Sequence, residues 1–150
     1  MIDKKDEFLE TNIKGMMMTL LAHWNGEMDL ARAGTEFADI RPSDMRTFGQ
    51  LRGRTMALSQ LHRELSISRQ AAQQSVSRLA EQGLLTIELA PDNYRDKVLK
   101  ITKKGQRWRK LAAQQIMSIE ANCADVIGKS GTETLRKHLI ELVNKTKHSK

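Results

Sequence analysis

The chain has 150 residues, of which 39% are hydrophobic and 29% charged, and it carries a formal net charge of +7. No apolar run approaches the roughly 18 residues of a membrane span, the acidic N-terminus argues against a signal peptide, and the single cysteine excludes an internal disulfide. We therefore expect one cytoplasmic domain with no membrane segment, and its basic charge, +9 within residues 41–110, favours a polyanionic partner.

One long helix is predicted from residue 6 to about residue 32. Its apolar positions are Phe8, Leu9, Ile13, Met16, Met17, Leu20, Leu21, Trp24, Met28 and Ala31. A helix that is wet on one side needs only about three apolar positions in seven. The wider apolar surface indicates that this helix packs both against its own domain and against a partner chain.

A second helix is predicted to begin at Pro42, because proline suits the first helical turn. Asp44 then lies near the positive end of the helix. Its predicted buried face consists of Met45, Phe48 and Leu51. Gly53 is expected to end this helix, and Thr55 is a candidate cap for the next one.

Residues 58–85 predict two short helices joined by a tight turn. The first has Leu58, Leu61 and Leu65 on one face. In the turn, Ile67 is expected to be a buried plug, and Ser68 is expected to cap the second helix. Gly83 is placed to end that helix. Its predicted buried residues are Ala72, Val76 and Leu79.

The opposite face of this second helix predicts contact with DNA. It carries Arg69, Gln70, Gln73, Gln74, Ser77 and Arg78 and no acid. A solvated helix face normally mixes both signs of charge. Glutamine can pair with adenine, arginine with guanine or phosphate, and small residues let a helix approach base edges. The pattern is typical of the recognition helix of a helix-turn-helix, and an ordinary helical hairpin with a polar face is the alternative.

After Gly83 the pattern changes to two short strands, residues 84–89 and 97–101, joined by a loop of turn-forming residues. A hairpin directly after a helix-turn-helix forms a wing, whose tip can reach the minor groove or the phosphates. The alternative is a plain hairpin in which Tyr94 and Arg95 are merely solvated.

The last third of the chain predicts two more helices. Thr102 opens the first, which continues to about residue 127, and the glycine-containing stretch at 128–131 interrupts it. Thr132 is expected to cap a final amphipathic helix. Its apolar face consists of Leu135, Leu139, Leu142 and Val143.

The sequence offers little for catalysis, so we predict that the protein is not an enzyme and needs no cofactor. Its four histidines have no metal-ligand spacing, and no glycine-rich phosphate loop precedes a helix. Cys123 lies in an apolar helical stretch and is predicted to be an inert packing thiol. His23 and Trp24 could line a small-molecule pocket, although core or interface positions are the favoured interpretation for both.

The order of these elements resembles the MarR family of bacterial winged-helix transcriptional regulators. The matching residues are L-S-I-S-R-Q-A-A-Q-Q-S-V-S-R-L-A-E-Q-G-L-L at 65–85 and V-L-K-I-T-K-K-G at 98–105. They are similar to the family's recognition helix ending in L-x-x-x-G-L and to its L-T-x-x-G entry to the fifth helix. The resemblance covers nearly the whole chain and implies a mainly α fold with a small β wing.

The resemblance also implies a function. Residues 1–40 and 111–150 would form the helical dimerisation part, and residues 41–110 the winged helix-turn-helix. A homodimer would bind double-stranded DNA at a near-palindromic operator as a repressor, and a small-molecule effector would release it. The residues that fall on the family's DNA-contacting positions are Ser68, Arg69, Gln70, Ala71, Gln73, Gln74, Arg78 and Arg95.

Several positions in the predicted DNA-binding part depart from the family pattern, among them Ser66, where the turn often has glycine, and Arg41, where Thr or Ser often precedes the proline. Asn93-Tyr94-Arg95 stands where the family usually has Asp-Arg-Arg, and Asp92 is the candidate substitute for the missing acid. His62 stands where the family usually has alanine. An alternative function is a winged-helix interaction module whose basic face binds an acidic protein partner.

Overall fold

The computed structural model describes residues 4–90 and 92–147, and for residues 93–95 it describes the backbone alone. The chain divides into two compact units, Met1–Leu111 and Ala112–Lys150. Its helices and strands, in chain order, are α1 (Lys4–Thr11), α2 (Ile13–Ala31), α3 (Pro42–Gln50), β1 (Met56–Ala57), α4 (Leu58–Glu64), α5 (Arg69–Glu81), β2 (Leu85–Ala90), β3 (Asn93–Ile101) and α6 (Lys103–Lys147). The predicted mainly α fold with a small β wing is confirmed.

The core of the first unit lies among α3, α4, α5 and a three-stranded antiparallel sheet of order β1-β3-β2. Both outer strands pair with β3: Met56 of β1 lies opposite Leu99, and Leu85 of β2 lies opposite Ile101. β1 was not predicted, because two residues are too short to show an alternating pattern. Side chains that are at most 2% exposed form the centre of this core: Phe48, Leu51, Leu61, Val76, Leu79, Leu84, Leu85 and Leu99.

The single N-terminal helix predicted from the sequence is wrong, since two helices meet at Asn12. The Asn12 side chain accepts a hydrogen bond from the Gly15 backbone N–H at 2.8 Å and donates one to the Leu9 carbonyl at 2.8 Å. These bonds end α1 and cap α2, which explains the break. No residue of either helix is buried. Their exposed apolar side chains are Phe8, Leu9, Ile13, Met16, Met17, Met18, Leu20, Leu21 and Leu30.

α6 contains a break at the predicted place, where Gly128 has φ 79° and ψ 163°. Thr132 does not cap the following segment as predicted. Its hydroxyl instead donates to the Gly128 carbonyl, one turn earlier, at 2.8 Å. Arg136 joins the two sides of the break through hydrogen bonds of 2.9 and 2.7 Å to Glu120. Exposed apolar side chains of the second unit are Ile116, Met117, Val126, Ile127, Leu135, Ile140, Leu142 and Val143.

Candidate nucleic-acid interface

One apolar face holds α5 against the first unit. Ala72, Val76 and Leu79 are at most 1% exposed. The Ser68 hydroxyl oxygen accepts a hydrogen bond from the Ala71 backbone N–H at 3.0 Å and so caps the helix. Gly83 ends it with φ 82°, a conformation that favours glycine. The predicted start, buried face and end of this helix are confirmed.

The turn before α5 differs from the prediction at Ile67. Its side chain is 42% exposed and is not a buried plug. The packing of α4 with α5 buries Leu61 and Val76 instead, at 0% and 1% exposure. Ile67 lines a shallow groove together with Thr47 of α3.

The outer face of α5 is polar and basic. We call it the polar face, and it consists of the exposed residues Arg69, Gln70, Gln73, Gln74 and Ser77. α5 contains no acidic residue before Glu81, its last residue. Ser68 is also exposed but its oxygen is engaged in the cap, and Ala71 is half-buried. Since glutamine and arginine pair with base edges and phosphates, this face has the chemistry to bind DNA. The individual DNA contacts stay predictions.

Arg78, the other basic residue of α5 that was predicted to contact DNA, forms an ion pair with Asp44 of α3. Its Nε donates to Asp44 Oδ2 at 2.8 Å, and its Nη2 donates to Asp44 Oδ1 at 2.9 Å. The Ser75 hydroxyl donates to the same Oδ1 at 2.6 Å. Asp44 is 1% exposed, whereas the Arg78 side chain keeps 33% exposure. Arg78 therefore links α5 to α3, and the N–H groups left for a phosphate are the two of Nη1 and the second one of Nη2.

Two opposing effects act on the pKa of Asp44. Burial raises it, because a charged carboxylate is poorly solvated inside a protein. The hydrogen bonds from Arg78 and Ser75 lower it and prevail, so the pKa lies below its ordinary value. Asp44 therefore holds Arg78 as an anion at neutral pH.

A second polar link fixes the wing to the helix-turn-helix. The Ser59 hydroxyl donates to Asp96 Oδ2 at 2.7 Å, and the Ser59 backbone N–H donates to Oδ1 at 3.4 Å. The hydroxyl of Ser59 holds the pKa of Asp96 below its ordinary value. Asp96 thus anchors β3 at the start of α4. Asp92, the candidate from the sequence, is exposed.

The predicted contact between the wing and DNA involves Arg95. The backbone of Arg95 belongs to β3, which extends further toward the tip than the predicted strand. Its side chain lies outside the described residues. A DNA contact by Arg95 stays a prediction.

His23 and Trp24, the candidate ligand-binding pair, do not line a common pocket. His23 is 67% exposed, lies 3.1 Å from Glu27 and borders an open groove between α2 and the loop before α3. Trp24 is half-buried and is not among the residues lining that groove. The groove also exposes part of Arg32, a buried side chain whose Nε has no hydrogen-bond partner among the described residues.

In the described part of the chain, no group of three or more His, Cys, Asp or Glu side chains is placed to hold a metal ion. None of the helices in that part has the length and apolar character needed to cross a membrane.

Sequence reasoning missed the acids that support the polar face. Asp44 was assigned only to the positive end of α3, and Asp96 was placed in the wing loop without a role. Their partners, Arg78 and Ser59, lie 34 and 37 residues away in the chain. The sequence contains only a weak signal for these links, namely that Asp44 and Asp96 are acids within a segment of net positive charge.

The fold matches solved MarR-type structures over nearly its whole length. A MarR protein from Peptoclostridium difficile is 15% identical, with a TM-score of 0.78 over 99% of this chain and 94% of that one. FabT of Streptococcus pneumoniae, solved in complex with DNA, is 19% identical, with a TM-score of 0.74 over 92% and 97%. MarR of E. coli is 14% identical, with a TM-score of 0.70 over 88% and 96%. No family model and no curated protein sequence matches the chain.

Proposed function

We propose that the chain is a transcriptional regulator of the MarR family that binds double-stranded DNA and is not an enzyme. The observation that carries the proposal is the exposed, acid-free polar face of α5 on a MarR-type winged-helix fold. A helix of this kind enters the major groove and contacts base edges with a few side chains. We assign this role to Gln70, Gln73 and Gln74, and assign phosphate contacts to Arg69 and Arg95.

The apolar side chains of α1 and α2 support a homodimer. Phe8, Leu9 and Ile13 are 65%, 64% and 70% exposed. Soluble monomers rarely leave so many neighbouring apolar groups in water. We therefore propose that a second copy covers them, with further contacts from the exposed apolar residues of α6. A two-fold dimer then presents two copies of α5 to a near-palindromic operator.

We further propose that the protein acts as a repressor in the cytoplasm and that a small molecule releases it from DNA. The groove beside His23 is the candidate effector site. Its lining residues include Arg32. In a DNA-binding assay, the effector would lower the affinity for the operator.

Fluorescence anisotropy tests the central proposal. The protein is titrated into the duplex that lies immediately upstream of its own gene and into a scrambled duplex, at about physiological salt, where non-specific binding is weak. We expect tight binding to the first duplex alone. Equal weak binding to both would contradict self-regulation and would direct the search to other operators. Binding to an acidic protein partner without affinity for either duplex would favour the interaction module instead.

A further inference from the structure

A second basic surface lies at the end of β3 from which α6 begins. It combines exposed cations of the loop between α3 and β1 with exposed cations of the first two turns of α6. We call it the basal patch, and its members are Arg52, Arg54, Lys103, Arg109 and Lys110. The wing tip lies at the opposite end of β3, roughly 25 Å away along the nine residues of that strand. The basal patch is therefore remote from the proposed contact between the wing tip and DNA.

The backbone of the loop between α3 and β1 brings the two parts of the basal patch together. Gly53 has φ 77°, and a Cβ there would collide with the guanidinium of Arg109. Because Gly53 has no side chain, the guanidinium of Arg109 can lie against the backbone between Arg52 and Arg54. Arg52 itself has φ 53°, a left-handed conformation that is unfavourable for a residue with a side chain. Backbone outliers of this kind concentrate at functional sites, which supports a binding role for this loop.

The basal patch carries more positive charge than its neighbours neutralise. Its acidic partner is Glu64 of α4, whose Oε2 accepts a hydrogen bond from Arg54 at 3.3 Å. Arg109 donates to the neutral side chain of Gln106 at 3.2 Å. Within the described residues, three cations form no side-chain hydrogen bond or ion pair: Arg52, Lys103 and Lys110. One paired carboxylate thus stands against five cations.

We propose that the basal patch binds an acidic segment of another protein. The guanidinium of arginine is a planar fork of N–H groups that pairs with a carboxylate through two bonds. Glu64 shows that a carboxylate pairs with Arg54 at this surface, and an acidic segment would pair with Arg52 and Arg109. DNA is the less suitable partner, because the duplex proposed to contact α5 and the wing tip meets the other end of β3. This surface goes beyond the proposed function, since it lets the protein hold a partner while bound to DNA.

Two double variants with the same loss of charge test the basal patch. The probe is a labelled peptide of about ten glutamates, and its anisotropy is measured at about 50 mM salt, where screening is weak. Arg52→Gln combined with Arg109→Gln should lower the affinity for this peptide roughly tenfold, because each exposed charge pair contributes a few-fold. The affinity for a DNA duplex should not change. Arg69→Gln combined with Arg95→Gln removes the charges assigned to phosphate contacts and should show the reverse pattern.

Two single variants separate binding from folding. Arg52→Gly should not lower the melting temperature, because glycine adopts a positive φ without strain, and it should still weaken the peptide complex. Glu64→Gln removes the carboxylate that competes for Arg54, so it should strengthen the peptide complex. A stable Arg52→Gly with the wild-type affinity for the peptide, or a weaker complex in Glu64→Gln, would contradict the proposal.

A titration of the peptide into protein saturated with duplex completes the test. We expect the peptide to bind this complex and to require Arg52 and Arg109. Three results would overturn the proposal: displacement of the peptide by the duplex, an equal loss of peptide affinity in both double variants, or binding of a second duplex that depends on Arg109. A wild-type protein that binds the peptide but no duplex would overturn the proposed function and leave the basal patch standing. A wild-type protein that binds the duplex but not the peptide would overturn the basal patch alone.

Discussion

The carboxylate of Asp44 on α3 accepts two hydrogen bonds from the guanidinium of Arg78 on α5, at 2.8 and 2.9 Å. This pair fixes the rotation of α5 relative to α3, because the two parallel bonds tolerate little change in angle. Arg78 is thus a structural residue first. The polar face owes its position to an ion pair as well as to apolar packing.

Replacement of Asp44 by asparagine should lower the free energy of unfolding by about 1–3 kcal/mol. The amide nitrogen cannot accept the bond that Arg78 donates, so a buried polar group loses its partner. Urea denaturation measures the effect. Asp39→Asn is the control, since Asp39 is exposed and should change stability by less than about 0.5 kcal/mol. Equal effects would show that the loss of negative charge, and not this pair, matters.

The same carboxylate predicts a specific response to acid. Its pKa is lowered in the folded protein, so the unfolded chain binds its proton first as the pH falls. The stabilisation from Asp44 is complete above about pH 4, the ordinary range of aspartate, and is lost as the pH falls through the folded pKa. Denaturation at several pH values should show a smaller acid-dependent loss in Asp44→Asn than in the wild type. Parallel curves would contradict this assignment.

Gly105→Ala should be strongly destabilising. A Cβ there would collide with the Leu84 carbonyl oxygen and would lie 2.6 Å from Ile101 Cγ2 and 3.1 Å from Phe48 Cζ. Overpacking of this kind costs roughly 1–3 kcal/mol. Gly26→Ala is the control, because nothing lies within 4 Å of a Cβ there and alanine favours a helix. Thermal unfolding should separate the two variants, and equal midpoints would contradict the packing.

Gln73→Ala should weaken binding to the operator by roughly 1–3 kcal/mol if its amide pairs with a base. The side chain is exposed on the polar face. Anisotropy with operator and scrambled duplexes measures the effect, and Gln114→Ala, an exposed glutamine of the second unit, is the control. A loss of the same size on both duplexes would show that Gln73 contacts the DNA backbone and not a base.

Leu21→Glu should weaken the proposed dimer at least tenfold, or by about 1.4 kcal/mol, because it places a charge on the apolar surface of α2. Sedimentation over a range of concentrations measures the dissociation. Leu89→Glu is the control, since Leu89 on β2 is 59% exposed and Leu21 is 57% exposed. Dissociation in both variants would indicate a different interface. Dissociation in neither variant would indicate a dimer that does not use α2.

The features predicted correctly from the sequence are those set by neighbouring residues. The Ser68 cap of α5 and the glycine after it depend on interactions a few positions apart, and Thr102 accepts from the Gly105 N–H as a cap of α6. Asn12 broke the first helix because its side chain bonds locally to the backbone, which the apolar pattern did not reveal. The links between Asp44 and Arg78 and between Ser59 and Asp96 join distant segments, so no local pattern could predict them.

Because apolar side chains of α1 and α2 are exposed, we expect the stability of the folded protein to depend on its concentration. If a second copy covers them, assembly and folding form one equilibrium, and mass action raises the melting temperature with protein concentration. The first molecules made in a cell would be the least stable and the most open to proteolysis. The protein would then accumulate only when its synthesis exceeds a threshold concentration.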